Sequence, residues 1–274
     1  MNFILKGNSR ATVQIINNKL NEKVCVRKKA DSVEFNNRLI MQYNKHLRFH
    51  NSGISSPEIY SSGYIDDCFY YDMEYINSLT LSNYIANGYE ISNKIEQDLN
   101  KLLEHFSTKK LQPVYDKYAF QDKINKINNI INFNKDEELD SIYIYLKSVD
   151  WPYVPIEQSH GDLTLDNILV NNGKLIFIDF DYVEHDSPFL DAVKILQDTR
   201  CHWCFRDYDD INLNNINSKL SKIEEISLKF IHLNYPSLVE YINLFLLYHL
   251  YRILPYSKNI KTTIFLKKQI NKLI

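Results

Sequence analysis

The dipeptide Asn172-Gly173 lies between the apolar runs Ile168–Val170 and Leu175–Phe177, and it constrains this chain more than any other local feature. Both central residues of a type I′ turn need positive φ, which Asn-Gly adopts at least cost. A two-residue turn between Asn171 and Lys174 pairs Ile168–Val170 with Leu175–Phe177. The same register sets Asn167 opposite Ile178 and Asp179 opposite Asp166. Asn167 and Asp179 are thereby delivered to one end of a hairpin, with Asp162 just upstream. Two carboxylates and an amide oxygen at a strand end form a hard-oxygen set suited to Mg2+ and phosphates.

The rest of the chain sets the bounds. Its 274 residues can bury a substantial core, and its apolar and charged fractions are those of a folded globular protein. A formal net charge of −2 provides no global attraction to nucleic acid, so no nucleic-acid partner is expected. No apolar run reaches the length of a membrane span, and Met1–Leu5 is too short for a signal peptide. A cytoplasmic protein without membrane insertion is the expectation. Cys25, Cys68, Cys201 and Cys204 are too scattered for a disulfide scaffold. Cys201-His202-Trp203-Cys204 is a lone CxxC, read as two cysteines on a helix.

Strand patterns dominate the first part. Phe3–Lys6 and Thr12–Ile16 flank Gly7-Asn8-Ser9-Arg10, a turn candidate, and Lys23–Lys28 alternates into a third strand. A helical period follows from about Ala30 to Phe49, where Leu39, Ile40, Tyr43 and Leu47 share a face. Ile59–Tyr64 and Cys68–Glu74 are two further strands around Asp66-Asp67. Beyond Ile76 the pattern turns helical over Leu79–Ala86, Glu90–Phe106, Gln121–Phe133 and the segments after Phe189. This predicts an α+β chain. Residues 1–76 form a small antiparallel-sheet lobe with one helix, and residues 77–274 form a larger, mostly helical lobe. The two would meet at a short hinge beside a cleft lined by Asp162, Asn167 and Asp179.

The run His160-Gly161-Asp162-Leu163, followed by Asn167 and then Asp179, resembles the catalytic loop and metal-binding aspartate of kinase-like enzymes. Gly161 and Thr164 stand where protein kinases carry arginine and lysine. The HGD form is similar to the aminoglycoside phosphotransferase and choline kinase superfamily. The run Ser187-Pro188-x-x-Asp191-x-Val193-Lys194-x-x-Gln197-Asp198-Thr199, with Trp203 beyond, resembles phosphotransferases of bacterial capsule and surface-polysaccharide loci.

The resemblance implies a protein kinase-like two-lobed fold, ATP and Mg2+ as cofactors, and a small-molecule hydroxyl acceptor. Asp162 would orient the acceptor and take its proton, while Asn167 and Asp179 would hold the metal. His160 would brace the loop, Asp191 would tie the following helix to it, and Asp166 would have no special role. Asp181 could join the metal or point away. A cation over the nucleotide phosphates falls to Arg27 or Lys28, with Arg27 preferred. No helix glutamate is evident for it, since Glu34 is too near in sequence and Gln42 is uncharged. Only Gly7 remains of a glycine-rich loop, with Arg10 as a possible supplement. The strand end Met73-Glu74-Tyr75-Ile76 would receive adenine, with Met73, Glu74 and Ile76 as contacts.

Eleven residues separate Asp179 from Asp191, too few for the peptide platform of a protein kinase. The acceptor is therefore expected to be a sugar or polyol precursor of a surface polysaccharide, with Gln197, Asp198 and Arg200 meeting its hydroxyls. Choline or ethanolamine, with Trp203, Phe205, Tyr208 and Tyr248 as an aromatic cage, is an alternative. An aminoglycoside, with Asp207, Asp209 and Asp210, is another. A nucleotide-binding scaffold without turnover is the reading from a different class, opposed by the intact Asp162, Asn167 and Asp179.

Overall fold

The structure is a computed structural model that describes residues 3–5, 11–18, 23–107, 114–115, 118–130, 137–182, 186–208, 213–257 and 259–274. The elements begin with β1 (Phe3–Leu5), β2 (Ala11–Asn18), β3 (Lys23–Ala30), α1 (Asn36–Asn51), β4 (Ile59–Ile65) and β5 (Cys68–Glu74). They continue with β6 (Leu79–Thr80), α2 (Leu81–Ala86), α3 (Asn93–Ser107), β7 (Val114–Tyr115), α4 (Tyr118–Ile130), α5 (Glu137–Ser148) and β8 (Pro155–Ile156). Then come β9 (Ile168–Asn171), β10 (Lys174–Phe177), α6 (Pro188–Cys201), α7 (Leu213–Asn234), α8 (Ile242–Ile253) and α9 (Ile260–Ile270). The chain divides into two compact units, Met1–Tyr84 with Asp166–Val183, and Ile85–Leu165 with Glu184–Ile274.

In the first unit the described strands form an antiparallel five-stranded sheet in the order β1-β2-β3-β5-β4. Asp66 and Asp67 both have positive φ, so they close the β4–β5 hairpin with a two-residue turn of the primed type. One face of the sheet is apolar at alternate positions. Ala11, Ala30, Phe69 and Tyr71 pack there with Leu39, and Tyr43 and Met73 seal the edge. Strand β3 runs to Ala30 and a turn of 3-10 helix covers Val33–Phe35, so the helix expected from Ala30 starts later, at Asn36.

The hairpin of β9 and β10 has the register read from its sequence: Lys174 faces Asn171, and Phe177 faces Ile168. Asn172 and Gly173 have φ of 49° and 72°, as a type I′ turn requires. By composition, residues 77–274 carry this hairpin with the helices. Here it groups with the strands, because β9 also pairs with β6 (Leu79↔Val170, Thr80↔Leu169) and the Phe177 N–H donates to the Ser55 carbonyl at 2.9 Å. Leu79-Thr80 was read as helix but is strand β6. The Thr80 hydroxyl accepts the Asn83 N–H at 3.2 Å, which caps α2.

The second unit is helical, with the two-stranded pair β7–β8. Helix α3 buries Ile95, Leu99, Leu102, Leu103 and Phe106, a stripe at helical spacing. Helix α6 is buried on nearly every side although Asp191, Lys194, Gln197, Asp198 and Thr199 are among its buried residues, so its polar groups must find partners inside the fold. Phe120, Trp151, Phe245 and Tyr248 form one aromatic cluster, and Phe189 joins it through Phe245 at 5.1 Å. None of the described helices is long and apolar enough to cross a membrane. The turn candidate at Gly7–Arg10, and with it Gly7 and Arg10, lies outside the described residues, as do Asp209 and Asp210.

Candidate active site

In the first unit, β3 presents the neighbouring cations Arg27 and Lys28 on opposite faces. Arg27 lies across from Asp72 on β5 and makes a bidentate pair with it, at 2.7 and 2.8 Å, with its guanidinium 4.1 Å above the Tyr70 ring. Lys28 lies across from Tyr71 on the apolar face, is 3% exposed, and its ammonium donates to the Asp179 carboxylate. Arg27, preferred from the sequence as the phosphate cation, is thus held by Asp72, and Lys28 is the cation that meets Asp179. The alternation is intact, but the face toward Asp179 is the one shared with Tyr71, and Asp72 captures Arg27 on the other. Burial by itself would lower the Lys28 ammonium. The Asp179 carboxylate, with smaller help from Tyr71 and Asp181, outweighs burial and raises it above its ordinary value.

Asp179 sits just beyond β10 with φ of 59°, a left-handed backbone uncommon for a residue with a side chain. Its side chain is about half exposed, at 49%. Upstream of β9, the Asn167 carbonyl accepts the Ile178 N–H at 3.0 Å, which extends the hairpin one step toward both candidate metal ligands. Asp166, read as a loop acid without a role, accepts the Ser82 hydroxyl at the start of α2.

Asp181 is engaged by α1. Arg38 donates to its carboxylate at 2.9 and 3.2 Å, Gln42 donates to it at 2.6 Å, and the Lys45 ammonium donates to its backbone carbonyl at 2.6 Å. These residues recur at i, i+4 and i+7, forming a single stripe on α1. Where the resemblance would put a helix carboxylate beside the strand lysine, this chain has an amide and two cations directed at Asp181. The spacing of Arg38, Gln42 and Lys45 was visible in the sequence, but their common partner was not. His46 of the same helix bonds through Nε2 to the Pro57 carbonyl at 2.9 Å and lies against Phe180. Burial pushes its pKa down to about 4, with the Pro57 bond opposing.

In the second unit, the loop 159–165 is held from below by α6. The Asp191 carboxylate accepts the N–H groups of His160 and, at 2.9 Å, Gly161. Asp198 accepts the N–H of Leu165 at 2.7 Å and that of Cys204 at 3.1 Å. Between them Lys194 sets its Nζ 3.0 Å from Asp162. Gly161 has φ of 92°, a conformation that an L side chain rarely adopts, which accounts for glycine at this point of the loop. The Asp162 N–H approaches His160 Nδ1 at 3.4 Å, in keeping with a bracing role for that imidazole. Burial would raise the Asp162 carboxyl. The Lys194 and Arg252 charges more than offset it, so Asp162 lies below its ordinary value.

Of the residues expected to meet acceptor hydroxyls, Asp198 and Arg200 are otherwise engaged, and Gln197 is buried with neither amide atom hydrogen-bonded among the described residues. Gln197 and Asp198 are fully buried, Asp198 serves backbone N–H groups, and Arg200 pairs with Glu224 at 2.8 Å. They lie on a helix buried on almost all sides, which sequence spacing does not reveal. The aromatic residues suggested as a cage fall into different neighbourhoods. Tyr248 sits in the Phe120–Trp151 cluster, Phe205 meets Tyr208, and Trp203 is covered by Arg206 at 4.0 Å. Cys201 and Cys204 are buried free thiols, and burial pushes Cys201 up to about 11, which suits neither redox work nor metal binding.

At the strand end proposed for adenine, Met73 seals the sheet core, the Glu74 N–H donates to the Glu58 carbonyl at 2.8 Å, and the Ile76 carbonyl accepts the Ser78 N–H at 3.0 Å. Among the described residues no cluster of three or more His, Cys, Asp or Glu side chains could hold a metal by itself. A Mg2+ ion needs no such cage, since it binds through one or two protein oxygens with waters and substrate phosphates. An exposed Asp179 carboxylate beside the Asn167 position fits that requirement.

No protein-family profile matches the chain, and no curated protein matches it by sequence. Solved structures do match. Choline kinase from Cryptosporidium parvum Iowa II shares 10% identity at a TM-score of 0.61, covering all of this chain and 87% of its own. ADP-bound aminoglycoside phosphotransferase APH(2'')-Ib shares 18% identity at 0.56, covering 100% and 91%. Choline kinase LicA from Streptococcus pneumoniae shares 15% identity at 0.55, covering 100% and 93%. The chain has the kinase-like fold of these proteins, a small antiparallel sheet with a helical majority.

Proposed function

We propose that this chain is an ATP-dependent phosphotransferase that moves the γ-phosphoryl group to a hydroxyl of a small molecule. The observation that carries the reading is the Lys28–Asp179 pair at the open end of the β9–β10 hairpin, whose other strand begins just after Asn167. A buried cation meeting an exposed carboxylate suits a site where metal-bound phosphates are to be held. The kinase-like fold of solved choline and aminoglycoside kinases supports it.

In this reading Lys28, more than Arg27, neutralises the nucleotide phosphates, and Arg27 supports β3 through Asp72. Met73, Glu74 and Ile76 bound the adenine end. Asn167 and Asp179 hold Mg2+, which would spread the charge of the phosphates. Asp162 orients the acceptor hydroxyl. As the hydroxyl oxygen bonds to the γ-phosphorus, the bond from that phosphorus to the β–γ bridging oxygen breaks and ADP leaves. The hydroxyl proton passes to Asp162, whose depressed pKa keeps it ionised and ready to accept.

The acceptor is a small alcohol, and a carbohydrate or polyol precursor of a surface polysaccharide fits best. Only eleven residues lie between Asp179 and Asp191, which disfavours a peptide platform. The run Ser187–Thr199 supplies the likeness to polysaccharide-locus phosphotransferases. The test is ADP release with Mg2+ and ATP over free monosaccharides, amino sugars, aminoglycosides, choline and ethanolamine. Acceptor-dependent, Mg2+-dependent turnover is expected. Saturable nucleotide binding with no turnover on any alcohol would instead favour the scaffold reading.

A further inference from the structure

We propose that α9 docks on the surface of an anionic membrane, its exposed isoleucines entering the headgroup boundary and its lysines meeting the lipid phosphates. The proposal concerns the helical unit alone and does not depend on the phosphotransferase reading.

The first observation is the placing of charge along the sequence. From Tyr241 to Ile274 the chain carries Arg252, Lys258, Lys261, Lys267, Lys268 and Lys272 and no aspartate or glutamate, although the net charge of the whole is −2. A basic segment in an otherwise acidic chain is the footprint of a polyanionic partner. Four of these lysines lie on α9 or in the turn after it, where the Asn271 N–H still bonds the Lys267 carbonyl at 2.9 Å. The neighbouring elements do not cancel them. Helix α8 packs alongside and carries Arg252 but no carboxylate. The turn at Trp203, whose ring lies 6.3 Å from Phe265, brings Arg206 and Asp207 as a pair at 3.5 Å. On α5, Glu138 stands 3.4 Å from Lys267 and takes the Asn271 amide, and Asp140 follows it. Both carboxylates together still leave the four lysines in excess.

The second observation is which side chains share the outward face. Leu266, Gln269 and Ile270 turn inward and are buried. Ile260 and Ile264, one turn apart, are 76% and 60% exposed. Single exposed apolar residues are ordinary, but a surface helix places polar groups outward, and β-branched residues do nothing for helix propensity there. At 100° per residue, Ile260, Ile264 and Lys268 follow one another along the middle of the exposed face. Lys261 and Lys272 fall on one side of that line, and Lys267 on the other. The Asn259 side chain accepts the Thr262 N–H at 2.7 Å and fixes the start of the helix.

An apolar line edged by lysines matches a lipid surface, where aliphatic groups sink to the acyl boundary and flexible ammonium stems reach the headgroups. A nucleic acid would use the lysines and leave the isoleucines in water. A second copy of this face would set lysine against lysine. The helix lies on the surface in this proposal and does not cross it.

The experiment is sedimentation of the full chain with sucrose-loaded vesicles of phosphatidylcholine, alone or mixed with phosphatidylglycerol. Binding to the anionic vesicles only is expected, and it should be lost at about 1 M salt, where the Debye length is about 3 Å. Each lysine near such a surface is worth about 5-fold in affinity, so K261Q, K268Q and K272Q combined should weaken binding about 100-fold. Ile260→Ser with Ile264→Ser should weaken it about 10-fold or more, by loss of apolar transfer. All five positions are exposed, and the thermal melts of these variants should superimpose on that of the native chain. Ile264→Trp should show a blue shift in emission on anionic vesicles and none on neutral ones. Equal sedimentation with both vesicle types, or with neither, would overturn the proposal. So would retention on double-stranded DNA or polyglutamate as strong as on anionic vesicles with the serine variant unaffected, which would give the face to another polyanion.

Discussion

Asp179 combines a left-handed backbone, a half-exposed carboxylate and a buried lysine partner. Backbone strain of this kind costs of order 1–3 kcal/mol and persists where the surroundings over-determine it. Here the Lys28 pair on one side and the anchored Asp181 on the other do so. Asp162 differs in that its partner Lys194 rises from a buried helix and holds the carboxylate ionised. The two aspartates should fail in different ways. Asp162→Asn should cut transfer at least about 100-fold, the low end for a positioned base, while leaving MgATP affinity nearly unchanged by calorimetry. Asp179→Asn should weaken Mg2+-dependent nucleotide binding itself, and equal nucleotide affinity in the two variants would exclude that division of labour. His46 adds a dependence on pH. Its folded pKa of about 4 lies below the ordinary 6.5, so between those values the unfolded chain binds the extra proton. Its contribution is therefore complete above pH 6.5 and is lost as pH falls toward 4, amounting to about 3 kcal/mol at most. The drop in urea stability from pH 7 to pH 4 should be smaller in His46→Gln than in the native chain.

At the level of elements, each of the two units holds one helix whose polar stripe anchors a neighbouring loop. On α6, Asp191, Lys194 and Asp198 stand at i, i+3 and i+7 and engage the loop 159–165 at its start, centre and end. On α1, Arg38, Gln42 and Lys45 converge on Asp181. A stripe of this kind fixes a loop against a helix through many bonds of modest individual worth. The bonds are unequal, because Arg38 is half exposed and Gln42 is buried. Asp181→Ala should cost about 1–3 kcal/mol, since it strands a buried amide donor. Arg38→Ala, which removes only a solvent-screened pair, should cost about 0–1 kcal/mol. Chemical denaturation of the two variants separates these outcomes, and equal losses would mean the stripe does not act through burial.

At the scale of the molecule, the sheet-bearing unit is assembled from two stretches of chain, Met1–Tyr84 and Asp166–Val183. Lys28, Gln42 and Lys45 are buried on the first stretch, and the groups that satisfy them, Asp179 and Asp181, are on the second. Residues 1–84 expressed alone would bury Lys28 away from its Asp179 partner, at a cost of several kcal/mol. That fragment should show no cooperative thermal transition by circular dichroism. A sharp transition would mean the first stretch is self-sufficient. The same interleaving separates what was legible in the sequence from what was not. Local rules determined the β9–β10 register, the primed turn at Asn172-Gly173 and most strand and helix positions, because turn chemistry and side-chain period act over a few residues. Their offsets are also what nominates Asp162, Asn167 and Asp179 as the proposed site. Local rules could not tell Lys28 from Arg27, find a partner for Gln42, or see that Asp198 is occupied by backbone amides. Those outcomes depend on groups 151, 139 and 33 residues away in the chain. Which face of a strand is buried, and which polar group a buried cation meets, is decided only when distant segments pack and each buried charge must find an opposite one.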